Sequence, residues 1–242
     1  MKKNHRLIVA LLFSLLLLLP SCKEAEAAPE NDYLTLSLVE GEHWLHAYGI
    51  FMNPPQMAFW LESLDGEYLA TIYVTEKTAT QGWFGGDPSI RRPSSLPVWA
   101  HARGVQEADE LYLPTKETPL PDAVTGATPQ QGFEVSADRP AELSPGKYVL
   151  FAEINHSLDY NDTFTEELEP TNPVNPDSKT LGGQPSVIFR AELEIGGEAS
   201  AEELILVGHG DTSGATGEII KDIDGLTTAL GIVDSIRIAY TP

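Results

Sequence analysis

Cysteine is almost absent. Cys22 is the only one in 242 residues, so no disulfide forms within the chain and its stability has to come from an apolar core. Cations are scarce as well: 15 Lys and Arg stand against 36 Asp and Glu, a net charge of −21. So acidic a surface repels phosphate backbones and anionic headgroups, which argues against nucleic acid as a partner and against membrane binding by charge. Signatures of common chemistries are missing too. There is no HExxH, CxxC, GxSxG or GxxxxGK, and no GxGxxG after a strand, so no nucleophile–base, metal or phosphate-loop arrangement is legible along the chain. An enzyme acting by itself is therefore the least favoured class. Long amphipathic helical periodicity is also lacking.

What is present begins with a leader. Lys2, Lys3 and Arg6 precede an apolar run, Leu7 to Leu19, interrupted only by Ser14. The run is shorter than the roughly 20 residues of a membrane span and ends at Leu19-Pro20-Ser21-Cys22, which resembles the lipobox of bacterial lipoproteins. The one cysteine thus stands where cleavage and acylation require it, and residues 1–21 are expected to be a lipoprotein signal peptide with Cys22 the lipidated residue. Their removal takes away Lys2, Lys3 and Arg6 and no acid, so the net charge goes from −21 to −24. Residues 22–30 (CKEAEAAPE) make a short tether; its eight residues after Cys22 span roughly 15 Å as flexible coil. Residues 31–242 are expected to form one domain. Lys23 replaces the Asp that favours inner-membrane retention in some bacteria, which points to the periplasmic side of the outer membrane.

Period-two alternation dominates that domain. Leu34, Leu36 and Leu38 fall on one face; Met57, Phe59 and Leu61 alternate with Ala58, Trp60 and Glu62; Tyr68, Ala70, Ile72 and Val74 share a face; so do Tyr148, Leu150, Ala152 and Ile154. Val187, Phe189, Ala191, Leu193 and Ile195 oppose Arg190, Glu192 and Glu194, and Ile236, Ile238 and Tyr240 form a last set. Asp65-Gly66 between two alternating runs is a hairpin signal. Ala199 to Leu206 reads equally as helix or strand, and Gly225 to Leu230 as one helical turn. Seven to ten strands, each with one wet face, predict an all-β fold: an antiparallel β-sandwich with long loops.

Three stretches rich in Pro and Gly carry no strand pattern: residues 80–97, 114–132 and 170–185. Loops longer than about 12 to 15 residues are usually functional or disordered. The first opens a segment with Trp83, Arg91, Arg92, Trp99, His101 and Arg103, where three of the six mature arginines fall within thirteen residues. Arginine forks recognise phosphate or carboxylate, and tryptophan offers a flat face for stacking, so these six residues are candidates for a ligand site. The competing reading pairs the arginines with the chain's own carboxylates and places the tryptophans in the core. His43 and His46, three apart on an apparent strand, point to opposite faces and make a poor metal pair. Asp159 to Asp162 with Glu166 and Glu167 lacks EF-hand spacing and reads as a solvated acidic loop.

The second loop holds Asp122-Ala123-Val124-Thr125-Gly126-Ala127-Thr128, which resembles the D-x-x-[ST]-G-A-[ST] motif on which FMN transferases attach flavin. The resemblance implies FMN held by a phosphoester to Thr128, with Asp122, Thr125, Gly126 and Ala127 forming the motif. Pro129-Gln130 departs from the usual continuation, in which another Ser or Thr follows two positions on. Residues 55–80, 91–103, 122–129 and 146–161 together resemble an uncharacterised family of predicted bacterial periplasmic proteins, often encoded beside FMN transferases and membrane flavin or haem reductases. The Pro145-Gly146-Lys147-Tyr148 strand resembles the immunoglobulin-like domain of flagellar hook-capping proteins, which implies an immunoglobulin-like sandwich. The family resemblance implies an envelope redox context, with envelope redox proteins or an FMN transferase as partners. Two functions stay open: a lipid-anchored envelope binding protein that is an accessory of flavin-linked electron transfer, and a structural or assembly lipoprotein recognising an envelope protein or glycan.

Overall fold

Leu34, Leu36 and Leu38 point inward from the first strand, and each inward leucine contributes about 1.5 to 3 kcal/mol through removal of its apolar surface from water. The computed structural model describes residues 32–83, 91–115, 117–118, 120, 124–173 and 175–242. The leader with Cys22, and Asp122 of the flavin-type motif, lie outside the described residues. In chain order the elements are β1 (Tyr33–Glu40), β2 (His46–Tyr48), β3 (Phe51–Asn53), β4 (Gln56–Glu62), β5 (Tyr68–Thr75), α1 (Glu76–Thr80) and α2 (Pro97–Ala102). Then come β6 (Val124–Gly126), β7 (Phe133–Asp138), β8 (Gly146–Asn155), β9 (Thr171–Asn172), β10 (Asn175–Lys179), β11 (Val187–Ile195), β12 (Ser200–Glu203), β13 (Ile205–His209) and β14 (Val233–Thr241). A single 3₁₀ turn, Thr228–Gly231, precedes the last strand. No helix among the described residues is long and apolar enough to cross a membrane.

A four-stranded sheet, in the order β12-β14-β1-β7, faces a six-stranded sheet, β13-β11-β8-β4-β5-β6. Their inner faces supply the main core: Leu34, Leu36 and Leu38 with Ile236, Ile238 and Tyr240 from one sheet, and Met57, Phe59, Leu61, Leu150, Ile154 and Leu193 from the other. The fold is the expected all-β antiparallel sandwich, with one exception: β6 joins β5 in parallel, pairing Val74 with Thr125 and Thr75 with Gly126. The ambiguous Ala199 to Leu206 segment contributes to strands β12 and β13.

The expectation that every strand keeps one wet face fails for β4. Its outward residues Ala58 and Trp60 are as buried as Phe59, because Leu96, Val98, Trp99, Ala100 and Leu113 form a second core over the outer face of the large sheet. The segment from Leu96 to Leu113, which runs from the end of the first loop to just before the second, thus contributes a packed layer. The face shared by Tyr68, Ala70, Ile72 and Val74 is also corrected: pairings Phe59–Tyr73 and Trp60–Thr71 leave Ile72 as an extra residue, so phase slips and Val74 faces the outer core. At the β4–β5 hairpin only Gly66 takes positive φ (83°). Leu64 and Asp65 form the turn, closed by Gly66 N–H donating to the Ser63 carbonyl at 3.0 Å.

Candidate functional site

Of the six residues in the arginine–tryptophan segment, four are committed to structure away from the cleft that Trp83 and Arg92 line. The Arg91 guanidinium donates to the Asp109 carboxylate and, at 2.5 Å, to the Leu113 carbonyl, clamping the second core's outer loop. Trp99 is fully buried and its Nε1–H donates to Thr71 Oγ1 at 2.9 Å. Arg103 lies 5.3 Å from the Trp99 ring and donates to the Tyr112 carbonyl at 3.0 Å. His101 Nδ1–H donates to the Pro97 carbonyl, and the ring tilts against Tyr112 beside a separate cavity of about 230 Å³.

Trp83 and Arg92 face a cleft of about 580 Å³, lined also by Asn53, Pro54, Gln56, Lys77, Asn155, His156, Ser157 and Leu158. Gln81 fixes the pair. Its Oε1 accepts from Trp83 Nε1–H at 3.2 Å and from the Arg92 backbone N–H at 3.0 Å, and the guanidinium carbon stands 4.2 Å from the centre of the Trp83 ring. Burial lowers the Arg92 pKa to about 10, with Glu169 and Tyr160 pulling it back up, so the side chain stays cationic at neutral pH. Glu169 makes no ion pair with it among the described residues. That carboxylate accepts from Tyr160 Oη–H, Thr180 Oγ1–H and the Gly182 N–H.

Gln56, the first residue of β4, links this cleft to the flavin-type motif. Its Oε1 accepts from Thr75 Oγ1 at 2.9 Å and Thr78 Oγ1 at 3.3 Å, which turns its Nε2–H toward Thr128 Oγ1 at 3.3 Å. Strand β6 is an edge strand of three residues. Thr125 and Ala127 are exposed and Thr128 half-buried, while Gly126 lies against the Tyr73 ring, where an added Cβ would come 3.1 Å from Tyr73 Oη. Gln56 thus connects Thr128 to the cleft that Trp83 and Arg92 line, although no described residue of the motif itself lines that cleft.

No protein-family model, curated protein or solved structure matches the chain.

What the site can do follows from its own groups. Its described lining holds two cations and no carboxylate, in a chain of net charge −21. His156 is held neutral: burial lowers its pKa to about 4, and its Nε2–H donates to the His43 carbonyl at 3.1 Å. Among the described residues no three His, Cys, Asp or Glu side chains converge as metal ligands. His46 opens β2 and His43 lies in the turn before it, so the two do not share a strand; His46 Nδ1 lies 3.6 Å from Asp159 Oδ1. Asp159 itself is buried and accepts from Gln184 Nε2–H and Thr228 Oγ1–H, so the solvated acidic loop begins with an internal anchor. Sequence reasoning did not name Gln56, Asn155 and His156 as site residues, and took Lys77 only as the start of the arginine–tryptophan segment. A polar glutamine heading the apolar run Met57 to Leu61 is the signal for Gln56.

Proposed function

We propose that the chain is a lipid-anchored bacterial envelope protein that holds flavin on Thr128 as an accessory of envelope electron transfer. One observation carries this reading: the Thr128 hydroxyl meets Gln56, whose side chain also lines the cationic, tryptophan-bearing cleft. The surrounding geometry supports it. Residues 124–126 of the motif form the edge strand β6, Thr125 and Ala127 are exposed, and Gly126 fits tightly where a side chain would crowd Tyr73. Thr128 Oγ1 would attack the FMN-side phosphorus of FAD. The P–O bond to the AMP moiety breaks, AMP leaves, and the hydroxyl proton passes to the transferase. The chain gains one FMN less one water. FMN supplies one- and two-electron redox chemistry, and the protein's part is to bind and orient it.

Co-expression with an FMN transferase in an FAD-replete periplasm is expected to give that mass increase, stable to denaturation. Thr128→Val should abolish it, and Thr125→Val should retain it. An unmodified intact mass would overturn the reading. The alternative, a structural or assembly lipoprotein, draws on the β2–β3 hairpin, which holds Ile50 (92% exposed) in its turn and Met52 (54% exposed) on β3 in solvent. A chain that stays unmodified while cross-linking through this hairpin to an envelope protein or glycan would favour it.

A further inference from the structure

The cleft beside Thr128 is built to hold a ligand without any covalent bond. Lys77 and Arg92 both face it, and among the described residues neither stands in an ion pair, although acids outnumber bases more than twofold along the chain. By contrast Arg91, Arg139 and Arg190 each pair with a carboxylate. Arg92 Nε, like Arg91 Nε, is buried with no hydrogen-bond partner among the described residues. Two cations that line one concave site with no carboxylate among its described lining suit an anion, and a guanidinium and an ammonium in the same lining suit a phosphate group. The ring requirement comes from Trp83. Gln81 fixes its indole and Arg92 covers one of its faces, which leaves a rigid platform with the guanidinium beneath it. Such a platform stacks on a planar aromatic ring. Gln56, Asn155 and Ser157 add polar groups around the wall, and a volume of about 580 Å³ falls within the range of cofactor sites.

We infer that this cleft is a non-covalent binding site for an aromatic mononucleotide, a planar ring bearing a phosphate, and that its occupancy does not depend on a bond to Thr128. The inference rests on the flavin reading only for the choice of FMN as the first probe.

The test uses the full-length lipoprotein in detergent, purified from a host without an FMN transferase and titrated with FMN and with riboflavin while flavin fluorescence is followed. Saturable one-to-one quenching is expected for FMN, with affinity for riboflavin roughly tenfold lower because the phosphate contacts are missing. Lys77→Gln and Arg92→Gln should each bring FMN toward the riboflavin value, and Arg190→Gln, which removes a cation outside the cleft, should bind FMN as the wild type does. Arg92 is largely buried and its replacement can disturb folding. Lys77, half-buried on short helix α1, therefore carries the charge test alone. Absence of saturable FMN binding, equal affinity for FMN and riboflavin, or no effect of Lys77→Gln would each overturn the inference. Covalent flavin on Thr128 without free-FMN binding would sink this site and leave the proposed function standing. Free-FMN binding in a chain that the transferase never modifies would do the reverse.

Discussion

Glu153 and His156 stand three residues apart at the end of β8 and titrate in opposite senses. Glu153 is fully buried; its carboxylate accepts from the Trp99 N–H at 2.7 Å, the Val98 N–H at 3.2 Å and Ser186 Oγ–H at 2.6 Å, yet burial outweighs these and raises its pKa from 4.5 to about 7. Between those values the unfolded chain releases a proton that the folded one keeps, so stability falls as pH rises through the window, by up to about 3 kcal/mol. His156 runs the other way. Its pKa is lowered from 6.5 to about 4, so the unfolded chain binds the extra proton and stability rises over that window. In the wild type the two largely offset. Glu153→Gln is expected to unmask a rising profile between pH 4 and 6.5 in denaturant melts, and His156→Gln a falling one between pH 4.5 and 7. Parallel profiles in all three proteins would refute the opposition. Arg91→Ala should lower stability by about 2 to 3 kcal/mol, since it strands Asp109 and the Leu113 carbonyl, while free-FMN binding is unchanged. A loss of ligand binding at full stability would return Arg91 to the site.

At the scale of elements, the hairpin between β4 and β5 offers the sharpest test. Gly66 alone occupies the left-handed region there, so Gly66→Val should cost about 1 to 2 kcal/mol by chemical denaturation, whereas Asp65→Ala should change stability far less. A neutral Gly66→Val would mean that the turn relaxes to another type. The elements that could be read from sequence are those with water on one side. In β1, β11 and β14 the inward positions are apolar while several outward ones are polar or charged, so period two survives. β4 reads less clearly because residues 96–113 return over its outer face, and a strand buried on both sides no longer alternates. The slip at Ile72 is invisible in a pattern, since one extra residue changes pairing without changing composition. Helix α2 escaped notice for another reason: its N-terminal Val98 and Trp99 N–H groups are taken by Glu153, more than fifty residues further on, where a local cap would have announced the start.

For the whole molecule, the site was legible in fragments and not as a site. The motif around Thr128 and the pair Trp83–Arg92 stand out by residue type, but only the fold shows that Gln56, in the lining of the Trp83–Arg92 cleft, donates to Thr128. Anchoring is a property of the whole chain as well. A chain cut before Cys22, as the proposed reading requires, would carry −24 by sequence count, so an anionic bilayer surface would repel it, and residues 23–30 have no apolar pattern. On the proposed reading attachment would come from acyl chains on Cys22, each methylene adding about 0.8 kcal/mol of membrane affinity. Three consequences separate this from every electrostatic mode of binding. High salt and alkaline carbonate should leave the wild type in the membrane pellet, detergent should release it, and Cys22→Ala should move the chain to the soluble periplasmic or extracellular fraction with its sandwich intact. A Cys22→Ala chain that still pellets with membranes would show that something other than lipid holds it there, and the exposed Ile50–Met52 hairpin would be the first surface to mutate.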